Sequence, residues 1–189
     1  MTQMKRAFTI VLIALLTLPA FTQELSKSEQ RKLQKQLKKE QQAEERAKSA
    51  EVVTAMVSYR KFVLEANSLR NKQGESIQVT SALNFVAADS TTGVLQIGSD
   101  AGIGANGVGG VTVQGELSGY KFTLHEKSGS YNVSYYLRSP VGTYDVRLTA
   151  FPDGRADATI SNATWGGRIT FSGYLIPPGL SRVYKGMAL

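Results

Sequence analysis

The chain contains no cysteine. Thiol nucleophiles, thiolate zinc sites and iron–sulfur clusters are therefore excluded. Without a disulfide, the fold has to be held by buried apolar area alone. Histidine occurs once, as His125, so a serine triad or a histidine acid–base pair would have to use that one ring. No serine stands in a G-x-S-x-G elbow to work with it. His125 follows Lys121 and Thr123 on the polar side of an alternating stretch, which reads as a surface imidazole rather than a metal ligand.

Long apolar runs are equally scarce. One stands out, AFTIVLIALLTL at residues 7–18, preceded by Lys5 and Arg6 and followed by Pro19 and Ala20. This is the pattern of a secretory signal peptide over residues 1–23, cleaved near Ala20. Its twelve residues fall short of the ~20 that span a bilayer as a helix. The expectation is a mature protein in the periplasm or secreted, with no stable membrane anchor, since a lipid anchor would also need the missing cysteine.

The formal charge of +7 suggests a nucleic-acid partner until it is divided along the chain. Residues 1–23, 24–49 and 50–189 contribute +2, +3 and +2. The bulk of the chain is near neutral, so no basic footprint is concentrated there and nucleic acid is not an expected partner.

Residues 24–58 lack glycine and proline, are rich in strong helix formers, and open with Ser26-Lys27-Ser28-Glu29, a capping-box pattern. A charged helix or linker is predicted. Leu33 and Leu37 make too thin a stripe for a coiled coil. Val52, Val53, Met56 and Val57 give about two turns an apolar face, which should dock on the following domain, residues 59–189.

From Phe62 the apolar period becomes two. The sets Val111/Val113/Leu117, Tyr120/Phe122/Leu124, Tyr131/Val133/Tyr135/Leu137, Tyr144/Val146/Leu148/Ala150, Ala156/Ala158/Ile160 and Ile169/Phe171/Leu175 read as half-buried strands. Turn signals at Ser128-Gly129, Pro140-Val141-Gly142, Pro152-Asp153-Gly154 and Trp165-Gly166-Gly167 leave no room for crossover helices. With stretches near 62–66, 83–88 and 93–98, the fold class is all-β: an antiparallel up-and-down meander of eight or nine strands, closing as a barrel or folding as a β-sandwich.

Two motifs invite a catalytic or cofactor reading. Gly102-Ile103-Gly104-Ala105-Asn106-Gly107 is a literal G-x-G-x-x-G, but the residues after it alternate with period two, so no helix N-terminus is available for a pyrophosphate. A loop needing positive dihedrals or close backbone approach is the expectation. Asp145 and Asp157 lie on polar faces of neighbouring strands, where Arg138 and Arg147 make charge pairing the ordinary explanation. No catalytic, cofactor-binding or metal residue is assigned, and no cofactor is expected.

Gly107-Val108-Gly109-Gly110-Val111-Thr112, Tyr144-Asp145-Val146, Pro152-Asp153-Gly154, Gly167-Arg168-Ile169-Thr170-Phe171-Ser172-Gly173 and Ser181-Arg182-Val183-Tyr184-Lys185-Gly186 appear in that order. Over about residues 60–187 the chain resembles the domain of unknown function 4251 family of exported Bacteroidetes proteins. The resemblance implies a small lipocalin-like β-barrel and carries no site residues. Members are often lipid-anchored, and this chain departs from them in having no cysteine.

The functional expectation is a non-enzymatic envelope protein acting structurally or as an adaptor, through a packed barrel and a polar helix that contacts another envelope component. Tyr131, Tyr135, Leu137, Tyr144, Leu148, Phe171 and Leu175 are large enough to fill an eight-stranded barrel. The alternative is a binding module for a small apolar ligand, lipid or glycan, with ligand-binding residues unknown.

Overall fold

A computed structural model describes residues 26–99, 104–162 and 167–188. Residues 1–23, read above as a signal peptide, together with Gly102, Ile103, and Trp165-Gly166 of the last turn signal, lie outside them.

Helix α1 spans Lys27–Tyr59. Its start is the capping box read from the sequence: the Ser26 amide donates to Glu29 Oε2 at 2.9 Å and the Glu29 amide to Ser26 Oγ at 3.3 Å. Those bonds hold the Glu29 carboxyl below its ordinary pKa. Residues 26–41 are exposed throughout, as their polar composition dictates. Gln42–Leu189 forms one compact unit, which takes in the second half of the helix.

Nine strands come next: β1 Lys61–Asn71, β2 Ser76–Gln78, β3 Phe85–Asp89, β4 Thr92–Ile97, β5 Val111–His125, β6 Ser130–Ser139, β7 Gly142–Ala150, β8 Arg155–Asn162 and β9 Arg168–Ile176. Each pairs antiparallel with its neighbour, and β1 pairs with β9 through eight register positions, from Val63 opposite Ile176 to Asn71 opposite Ile169. That pairing closes an eight-stranded barrel and excludes the sandwich. The short β2 is additional, lying beside the end of β1 where β3 has already turned away.

The two apolar sets Val111/Val113/Leu117 and Tyr120/Phe122/Leu124 belong to one strand. A register shift between Ser118 and Lys121 inserts a bulge around Gly119, so the inward positions change from odd to even numbers. Seven large residues expected inside are buried there, with Leu64, Val146, Ala158 and Ile160 completing the wall. Outward positions of β6 to β8 carry Ser134, Tyr136, Arg138, Asp145, Arg147 and Asp157. Apolar inside and polar outside is the reverse of a membrane-spanning barrel. Among the described residues no helix is long and apolar enough to cross a membrane.

The last turns of α1 cover one end of the barrel. Val53, Met56 and Val57 are buried, each burial contributing about 1.5–3 kcal/mol. Val52, grouped with them from the sequence, faces solvent. Two tyrosines fix the helix in place: the Tyr120 hydroxyl donates to the Val57 carbonyl at 2.8 Å, and the Tyr131 hydroxyl to Thr54 Oγ1 at 3.1 Å. Tyr120 stacks on Tyr135 with centroids 5.8 Å apart, and Arg60 lies over its other side at 5.1 Å.

Candidate ligand-binding mouth of the barrel

The other end of the barrel is built from smaller side chains. Strands β4 and β5 bring Ile97 opposite Val111 and Leu95 opposite Val113, while β8 and β9 bring Ile160 opposite Ile169. Strand register places Tyr144 of β7 beside Asn162 of β8. These residues, with Gly167 and Arg168, line a cavity of about 240 Å³. Ligand cavities typically start near ~300 Å³, so this one suits a small molecule or one short apolar chain.

Its wall is almost wholly hydrocarbon, with polar groups gathered at the rim. Tyr144 and Asn162 are buried there, whereas Arg168 is exposed. Burial raises the Tyr144 pKa, and the Asn162 amide beside it acts in the opposite direction. The phenol therefore stays protonated at neutral pH and can donate a hydrogen bond. The Tyr144–Asn162 pair and the exposed Arg168 set a polar rim above an apolar floor. Among the described residues no cluster of three or more His, Asp or Glu could hold a metal beside it.

The residues weighed from the sequence lie elsewhere. His125 is exposed at the end of β5, its Nε2 2.7 Å from Asn132 Nδ2. Asp145 pairs within its own strand with Arg147, at 3.3 Å, rather than across strands. Asp157 lies opposite Thr149 and Asp145 opposite Ser161, four register positions away, so the two carboxylates do not form a pair.

The described part of the glycine motif is a structural latch. Asn106 Oδ1 accepts the amides of Val108 and Gly110, and its Nδ2 donates to Thr112 Oγ1 and the Ile97 carbonyl. Thr112 donates to Gln96 Oε1, which also accepts the Gly186 amide, while Gln96 Nε2 donates to the Leu83 and Tyr184 carbonyls. Gln96, Asn106 and Thr112 are buried outside the barrel wall under the C-terminal strap, and all their side-chain polar atoms are engaged. A Cβ on Gly104 would overlap the backbone of Gly110, and Gly107 has a φ of +72°. The loop runs into strand β5, and among the described residues no helix starts after it before that strand.

Residues 42–175 match the family model described as domain of unknown function DUF4251. The chain belongs to the DUF4251 family. A crystal structure of a DUF4251 family protein from Bacteroides eggerthii is 33% identical, with a TM-score of 0.61 over 71% of this chain and 91% of that one. Among curated proteins the chain has no match. The DUF4251 match begins at Gln42, earlier than the start near residue 60 expected from the resemblance, and so includes the half of α1 that buries Val53, Met56 and Val57. It ends at Leu175, which leaves the Ser181–Gly186 strap outside the matched segment.

Sequence periodicity marks Tyr144 and Ile169 as inward-facing but gives no sign of a cavity beside them. Asn162 and Arg168 escape it as rim residues. The one signal was the size gradient along the inward sets: aromatics crowd the helix-covered end, and Ile97, Val111, Ile160 and Ile169 occupy the other.

Proposed function

We propose that the mature protein acts outside the cytoplasm as a non-enzymatic binding module, taking a small apolar ligand or a short apolar chain into the open mouth of its barrel. One observation carries this reading. The barrel is covered at one end by α1 and holds an apolar cavity with polar rim groups at the other. A purely structural barrel would gain stability from filling that space, since unfilled apolar volume costs packing energy.

Export is supported by the basic–apolar–small-residue order at the N-terminus. Sequencing of the protein from its native cells should find a mature N-terminus between Phe21 and Glu24.

Binding is tested with the neutral dye N-phenyl-1-naphthylamine. Saturable emission at one site is expected, lost in Ile169→Trp, whose indole fills the cavity, without a fall in Tm. Absence of saturable emission, or equal binding by a normally melting Ile169→Trp variant, contradicts the proposal.

A further inference from the structure

We propose that the ligand is a short linear carboxylate, its chain in the cavity and its head on Arg168 with Lys72 alongside. This rests on the barrel mouth being the binding site. Immediately outside the cavity is a surface depression that shares Asn162, Gly167 and Arg168 with it and adds Lys72, Thr143 and Ser161. The apolar cavity and a cationic, hydroxyl-bearing ledge therefore adjoin at Asn162, Gly167 and Arg168.

The two cations are available for an anion. Among the described residues neither Arg168 nor Lys72 makes an ion pair, whereas Lys61, Arg147 and Arg155 pair with Asp89, Asp145 and Asp153. The one carboxylate in the depression, Asp145, is engaged by Arg147 through both Nε at 3.3 Å and Nη2 at 3.4 Å. An arginine guanidinium presents a planar fork that matches a carboxylate in two parallel hydrogen bonds, and a lysine beside it adds charge without fixing geometry.

Size sets the chain. The 240 Å³ cavity lies below the ~300 Å³ at which ligand sites typically start, so it accepts only a short chain, for which the eight-carbon octyl group is the probe. A longer chain would project from the mouth, and its exposed methylenes would contribute little to affinity.

The test is calorimetric titration of the mature chain with octanoate and with 1-octanol, which share the chain and differ in the head. Octanoate should bind about fivefold tighter or more, the range of one partly exposed ion pair. Arg168→Gln should erase that preference by weakening octanoate at least about fivefold more than octanol, Arg168→Lys should retain part of it, and high salt should weaken octanoate alone. If both ligands bind equally to the wild type, or Arg168→Gln weakens both alike, the anionic head is refuted while the cavity stands. If neither binds, the cavity reading fails and this inference with it.

Discussion

The backbone amide of Gly186 donates to Gln96 Oε1 over 2.8 Å, joining residues ninety positions apart. With the Tyr184 carbonyl accepting from Gln96 Nε2 and the Met187 amide donating to the Asn106 carbonyl, it straps the end of the chain across the outer face of β4 and β5. Gln96→Ala leaves several buried polar groups without partners, each costing about 1–3 kcal/mol. The variant should melt lower by ~2 kcal/mol or more and be cut faster by trypsin after Arg182 and Lys185. Gln114→Ala, which removes only the exposed contact with Lys185, should change neither.

Asn106 of the glycine loop is bonded to that strap through its carbonyl, which accepts the Met187 amide. Gly104→Ala should cost ~1 kcal/mol or more, because a methyl group there meets the Gly110 backbone. NAD, FAD and ATP should give no thermal shift with wild type at millimolar concentration. A saturable shift that vanishes in a normally melting Gly104→Ala variant would return the loop to the functional sites.

Deleting residues 24–41 should leave the remaining domain folded, since those described residues are exposed and bury little apolar area. The Tm should move by less than about 5 °C, equivalent to ~1 kcal/mol for a domain of this size. Val57→Asp, which buries a charge among the helix contacts, should by contrast abolish a cooperative melt.

Tyr135 is buried inside the barrel, and its hydroxyl has no hydrogen-bond partner among the described residues. Tyr135→Phe should be neutral or stabilising by up to ~1 kcal/mol. Burial, then the neighbouring Tyr120, push the Tyr135 phenol well above its ordinary value of 10.0. Above pH 10 the unfolded chain therefore releases this proton and the folded one keeps it, so stability falls as pH rises. Denaturant midpoints measured between pH 8 and about pH 11 should decline for wild type and decline less steeply for Tyr135→Phe.

The features legible in the sequence are local. Period-two sets mark the strands because one face of each is buried, and Ser26 with Glu29 marks the helix start because that bond pattern is confined to four residues. Even the bulge leaves a trace, in the change from odd positions through Leu117 to even ones from Tyr120. The polar latch is hidden: no local pattern marks Gln96, Asn106 and Thr112 as a buried set, because a C-terminal strap some ninety residues away covers them. The cavity is hidden for a related reason. Seven large inward residues suggest a filled barrel, but packing depends on where along the axis closure places them, and Tyr131, Tyr135 and Leu175 lie toward the helix-covered end.

Methyl NMR decides whether the mouth opposite the helix is the binding site. In isoleucine-labelled protein titrated with 1-octanol, the methyl signals of Ile97, Ile160 and Ile169 should shift together and saturate, while those of the exposed Ile77 stay in place. Shifts confined to Ile77, or no saturable shift at the three mouth residues, would overturn the assignment of the mouth.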